Sequence, residues 1–155
     1  SEKFAAYKLP RRNIFFGRWL AYGSQYPDTQ LRLFKRGRAS FPNRHVHEML
    51  QVDGETGNLK NAFEHHPYPE VADYMRKMIF YTGFQAEYWH TSGMSDNVFN
   101  TLRHLFFRPY FRFLRRYLLK QGFRDGWQGF AAAAGDAFQN IFSYARFLEL
   151  RGRNR

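Results

Sequence analysis

Two short segments hold most of the chain's capacity for acid, base or metal chemistry. Arg44-His45-Val46-His47-Glu48 places two histidines two positions apart, with a carboxylate beside the second. Glu64-His65-His66-Pro67-Tyr68 adds two more, so these segments hold four of the six histidines. Residues two apart on a strand share a face, so His45 and His47 could share a metal ion. Glu48 could act as a general base. By residue type alone, the commoner outcome for such groups is a polar surface with a salt-bridged carboxylate and hydrogen-bonded histidines. Both readings stay open at this level.

Composition narrows the classes. The 155 residues suffice for one domain with a moderate core. There is no cysteine, which excludes disulfides and thiolate zinc sites and is compatible with a reducing cytoplasm. Lys and Arg number 24 against 13 Asp and Glu, a net charge of +11 that points to a polyanion: nucleic acid, an anionic membrane surface or a phosphorylated substrate. Aromatic residues make up 20% of the chain, with 18 Phe and 10 Tyr. The longest nearly apolar run, from Gly129 to Gly135, is too short to span a bilayer and is followed at once by Asp136. The start, SEKFAAYKLPRRN, is polar and basic, with no apolar core of a signal peptide.

The elements that must position these groups change character along the chain. The first third reads as strand and loop: an apolar run from Asn13 to Leu20, punctuation at Gly23 and Pro27-Asp28, and an alternating strand from Thr29 to Arg36 ended by Gly37. Val46 to Val52 is a short extended or helical piece, Asp53 to Asn58 a turn cluster, and Leu59 to His65 a returning strand. After Pro67, helical spacing takes over. Val71, Tyr74, Met75, Met78 and Tyr81 recur on one face. A loop is expected from Glu87 to Asp96 and a helix from Asn97 to Phe107. Pro109 should interrupt it and start another helix running to Gln121, with Gly122 as the stop. A last helical stretch, Phe123 to Leu150, is weakened by Gly126, Gly129 and Gly135. The expected class is α+β, with strands and loops in residues 1–68 and helices in 69–155.

Arg112, Arg115, Arg116 and Lys120 fall on one stripe of the Pro109 helix, beside Phe and Tyr positions. Such a stripe suits either a core-facing helix with a solvated basic side or a helix lying in a membrane interface. Nucleic acid ranks behind these: no zinc-finger spacing, RNP-like run or Gly-rich KH loop is present.

The ordered set of motifs carries a resemblance. It runs through Leu9-Pro10-Arg11-Arg12-Asn13, Gly17-Arg18-Trp19, Tyr26-Pro27-Asp28, the run from Gln30 to Gly37, Val46-His47-Glu48, Gly57-x-Leu59, His65-x-x-Tyr68 and Tyr74-x-x-Lys77-x-x-x-Tyr81. It continues in Pro109-x-x-x-Phe113, Tyr117, Gly122-Phe123-x-Asp125-Gly126-x-x-Gly129 and Tyr144. Nearly the whole chain resembles the C-terminal half of a family 2 glycosyltransferase with a GT-A (Rossmann-like) fold, nearest the bacterial lipopolysaccharide-core β-glucosyltransferase type.

The resemblance implies roles. Glu48 stands where the catalytic base belongs, and His65, rather than His66, matches a metal-ligand histidine for Mg²⁺ or Mn²⁺. Arg32 and Arg36 could face a phosphate, and His47 a substrate. The implied donor is a nucleotide-sugar, and the implied acceptor a lipid-linked or lipopolysaccharide-type glycan. Arg112, Arg115, Arg116 and Lys120 would face an anionic membrane, with the protein peripheral on the cytoplasmic face of the inner membrane. The nucleotide-binding half of such enzymes closes on an Asp-x-Asp, and this chain contains none. The sequence is therefore expected to lack the N-terminal, donor-binding half and to be inactive alone. The alternative is a non-catalytic peripheral membrane-binding or scaffold module.

Overall fold

The computed structural model describes residues 3–40 and 50–153, which form a small mixed sheet covered by helices. The sheet is organised around one strand, β1 (Ala6–Phe15). On one edge β1 pairs antiparallel with β3 (Asp28–Phe34) and, further along, with β2 (Arg18–Trp19). On the other edge it pairs parallel with β6 (Thr56–Asn58) and then with β7 (Phe63–Tyr68). A separate ribbon joins β4 (Ala39–Ser40) to β5 (Gln51–Val52). The mixed α+β class matches the sequence expectation.

The apolar run from Asn13 to Leu20 is a hairpin rather than one strand. Phe16 and Gly17 both have positive φ, 52° and 77°, the combination that a tight two-residue hairpin requires. Phe16 is an unusual residue for that conformation. Its ring is held in place, stacked 5.3 Å from Trp127 and edge-on to Tyr74 at 5.9 Å. The expected turn cluster at Asp53–Asn58 also resolves differently, because its last three residues pair with β1.

The helices differ from expectation in two places. The first, α1 (Val71–Thr91), runs through the segment read as a loop, up to Thr91. Ala86 is fully buried, and Trp89 packs with Tyr144 and Phe147, so burial extends the helix past the polar residues that suggested its end. Second, Pro109 does not interrupt. The run 98–119 is helical throughout: α2 (Val98–Leu102), a π turn (Arg103–Phe107), α3 (Arg108–Leu114) and a second π turn (Arg115–Leu119). A π turn closes i→i+5, here from the Arg108 N–H to the Arg103 carbonyl. This wider turn immediately precedes the proline, where an α-helix would clash with its ring. With the Arg108 N–H used and Pro109 having none, the His104 carbonyl needs a donor from elsewhere. Asn140 supplies it, Nδ2 to O at 2.7 Å.

The last helix, α4 (Gly126–Arg153), follows a 3₁₀ turn (Gly122–Asp125) and packs on both α1 and α3. Its glycines are points of close approach rather than weaknesses. A Cβ at Gly129 would overlap the Gly122 carbonyl, and one at Gly135 would overlap the Tyr74 ring. Two core clusters result. Phe15, Leu20 and Ala132 join sheet to helix, with Phe16, Tyr68 and Tyr74 against them. Ala86, Tyr144 and Phe147 join α1 to α4.

Candidate active-site cleft

Where β1, β7 and the start of β3 meet α1, the second π turn and α4, a cleft of about 470 Å³ opens. Its floor is built by alternation: Arg11, Asn13 and Phe15 on β1 all face it, as does His65 on β7. The parallel register sets Asn13 directly opposite His65. Tyr74, Lys77 and Tyr81, one stripe of α1, form one wall, and Arg116 and Asp136 form another.

Asp28 anchors the polar floor. It accepts hydrogen bonds from Arg11 Nε at 2.9 Å, Asn13 Nδ2 at 3.0 Å and Gln30 Nε2 at 2.7 Å. Burial alone would raise its carboxyl, but the bonds from Asn13, Arg11 and Gln30 outweigh burial and hold it below the ordinary carboxylate range. Because Asn13 donates to Asp28, its Oδ1 is left to accept from His65 Nδ1 at 3.0 Å. His65 Nδ1 therefore carries the proton, and Nε2 keeps its lone pair. Partial burial, then the nearby cations Arg11, Lys77 and Arg32, lower the His65 pKa and favour the neutral ring. A neutral imidazole with one nitrogen fixed by a partner is the form that ligates a metal or takes up a proton.

His66 points the other way. It is exposed, 3.6 Å from exposed Glu64. Lys77 lies across the cleft mouth, donating to the Pro67 carbonyl at 2.9 Å and sitting 5.2 Å from the Tyr68 ring. Tyr74 is kept protonated by burial and by Tyr68, with its pKa raised to about 12. The loop leading to Asp28 is fixed from the far end of the chain. The buried Asp125 carboxylate accepts from the backbone N–H of Ala21 at 3.2 Å and of Tyr22 at 2.8 Å.

Of the residues singled out from sequence, His65 lies in this cleft. Arg32 is exposed on β3, near enough to lower the His65 pKa, while exposed Arg36 follows the strand and does not line the cleft. His47 and Glu48 lie outside the described residues. The basic stripe divides. Arg112 pairs with Asp136 through two bonds, Nε at 2.9 Å and Nη2 at 2.5 Å, and Arg116 approaches the same carboxylate at 3.3 Å. Arg115 and Lys120 are exposed. Arg11, Asn13 and Asp28 belong to the motif set but carry no expected role. The alternation Arg11-x-Asn13-x-Phe15 is the signal that places them together. Among the described residues no three His, Asp or Glu side chains converge as a metal site, so His65 fits a single-ligand contribution only.

A second surface lies outside the cleft lining. Phe99, Phe106, Phe107, Tyr110, Phe111 and Leu119 are each more than half exposed. In an α-helix, residues five apart point about 140° away from each other. The π turn brings buried His104 and Pro109 back under one side, which leaves the aromatic residues on the other. Exposed Arg103, Arg115 and Lys120 lie along the same run. Among the described residues no helix is long and apolar enough to cross a membrane.

No family model matches the chain, and no solved structure matches it significantly.

Proposed function

We propose that the chain is the acceptor-side, C-terminal part of an inverting, metal-dependent family 2 glycosyltransferase. It would move a sugar from a nucleotide-sugar to a lipid-linked or lipopolysaccharide-type acceptor. The observation that carries this reading, beside the motif order, is the Arg11–Asp28–Asn13–His65 relay, which presents one neutral imidazole nitrogen at the cleft floor. In this reading His65 Nε2 would hold Mg²⁺ or Mn²⁺, whose charge neutralises the departing diphosphate. Glu48 would take the proton of the acceptor hydroxyl as that oxygen bonds to the anomeric carbon. The bond from carbon to the diphosphate oxygen breaks, with inversion. Arg32 and Arg36 are candidate phosphate contacts.

The exposed aromatic face, edged by Arg103, Arg115 and Lys120, suits a peripheral position on an anionic leaflet, the cytoplasmic face of the inner membrane in this reading. The same face also favours a second reading, a peripheral membrane-binding or scaffold module without catalysis.

Sugar transfer from nucleotide-sugars into a membrane glycolipid fraction separates the two. Transfer by these residues joined to a donor-binding half, dependent on Mg²⁺ or Mn²⁺, is expected to fall at least 100-fold in Glu48→Gln and in His65→Ala. Vesicle sedimentation should be unchanged in both variants. Transfer that survives both substitutions would sink the enzymatic assignment, and absence of transfer together with intact vesicle binding would favour the module.

A further inference from the structure

Behind the Asp136 wall lies a second, smaller cavity of about 120 Å³, enclosed by Gln85 and Trp89 of α1, Arg108 and Arg112 of α3, and Gln139, Asn140 and Ser143 of α4. It shares Asp136 and Gln139 with the main cleft, so the two cavities adjoin. The volume corresponds to about four waters' share of liquid. That suits one compact polar group rather than a whole sugar ring.

Its lining carries more positive charge than its carboxylate offsets. Arg108 has no hydrogen-bond or ion-pair partner among the described residues. The neighbouring carboxylate, Asp136, is already engaged by Arg112 and Arg116. The side-chain amides of Gln85 and Gln139 likewise have no partner among the described residues. Asn140 Nδ2 is spent on the His104 carbonyl and the Ser143 hydroxyl on the Gln139 carbonyl. Arg108 is half-buried and feels Arg103 and Arg112 as like charges. Burial first, and then these two arginines, lower its pKa. A guanidinium left half-buried among other cations with free amide donors around it lacks an anion. Among the described residues the lining holds one carboxylate, Asp136, with two arginines, Arg108 and Arg112, and Arg116 from outside the cavity also pairs with that carboxylate.

We propose that this cavity binds the phosphate monoester of a ligand whose uncharged sugar portion lies in the adjoining cleft. Arg108 would take two phosphate oxygens through its planar fork, with Gln85 and Gln139 donating to the remainder. Asp136, neutralised by its two arginines, would separate the phosphate from the reacting end without repelling it. That the ligand is the glycosyl acceptor rests on the glycosyltransferase reading, whereas the anion site does not.

Equilibrium binding of glucose 6-phosphate, glucose and inorganic phosphate by calorimetry tests the site without any transfer reaction. Glucose 6-phosphate is expected to bind at least 10-fold more tightly than either fragment. Arg108→Gln should weaken it at least 10-fold. Arg115→Gln, which removes an exposed charge from the same helical run, should change it less than 2-fold. Gln85→Leu is expected to weaken it several-fold, and it tests the cavity without touching an arginine. Equal losses in Arg108→Gln and Arg115→Gln would reduce the effect to general surface charge and overturn the site. So would binding unchanged in Arg108→Gln and Gln85→Leu, or no binding of glucose 6-phosphate at all. Binding that follows the expected pattern in a chain inactive in sugar transfer would keep the anion site and remove only the name of acceptor.

Discussion

Asn13 and His65 sit opposite one another across the parallel β1–β7 pair, with Asn13 Oδ1 3.0 Å from His65 Nδ1. Asn13 is also bound by the Asp28 carboxylate, so the amide cannot turn round without setting an oxygen against Asp28. The imidazole is consequently expected as the Nδ1–H tautomer at neutral pH. Long-range ¹H–¹⁵N correlation spectra of the histidine rings check this directly, with His65 assigned by substitution. In Asn13→Ala the tautomer preference should be lost and stability should fall by about 1–2 kcal/mol, since the partly buried Asp28 and His65 each lose a hydrogen bond. An Nε2–H tautomer in the unaltered protein would overturn the relay.

His104 gives a pH signature in stability. It is buried, stacked 5.0 Å from Tyr144, and its pKa falls to about 4 through burial and then through Arg108 and Arg103. The unfolded chain takes up this proton near pH 6.5, whereas the folded one takes it up only near pH 4. Between those values the unfolded state holds more protons, so stability falls as the pH is lowered. The loss approaches about 3 kcal/mol if His104 acts alone. Urea midpoints at pH 7 and pH 4.5 measure it, and His104→Gln should flatten that part of the profile. His65, whose pKa is also lowered, contributes in the same direction.

Asn140 should matter more than its place in a helix interior suggests. Its Nδ2 serves the His104 carbonyl, next to the position where Pro109 removes a backbone donor. Asn140→Ala is expected to cost about 1–3 kcal/mol, the price of a buried carbonyl left unbonded. Thermal melts check this. A change below about 0.5 kcal/mol would mean that the carbonyl finds another donor.

Three glycines of α4, Gly129, Gly135 and Gly152, should rank by what their Cβ would meet. Gly129→Ala sets a methyl against the Gly122 backbone carbonyl, which cannot rotate away. Gly135→Ala meets the Tyr74 side chain, which can shift, and Gly152→Ala meets nothing. Overpacking typically costs about 1–3 kcal/mol, and Gly129→Ala should be at or above that range. Gly135→Ala should fall within it. Gly152→Ala should be neutral or slightly stabilising through helix propensity. Any other order of melting temperatures contradicts the packing described.

Local patterns made part of this molecule legible in its sequence. The motif spacing of the resemblance singles out His65 over His66, helical spacing gives α1 and α4, and the 98–119 run ends close to the expected stop at Gly122, although Gln121, at φ 55°, takes the left-handed conformation there. What was hidden depends on residues far apart along the chain. Asn13 meets His65 52 positions on, and Arg112 meets Asp136 24 positions on. A single helix therefore reads as having one basic stripe, when half of that stripe is turned toward a carboxylate on α4. The continuity of the run through Pro109 was hidden too. Proline predicts a break because it removes a donor, but nothing local indicates that a side chain from α4 replaces it. The helix extension to Thr91 rests on tertiary burial of Ala86, which outweighs the polar, loop-like residues that follow.

β1 is bonded on both edges along the stretch that carries Arg11 and is central to the sheet. A strand with partners on both sides does not fray alone, because releasing it would uncouple β3 and β7 together. The amide protons around Arg11, where both edges are paired, are therefore expected among the slowest to exchange. The helical walls of the cleft can breathe against that floor, but the nitrogen lone pair of His65 is held in register by the part of the protein that opens last.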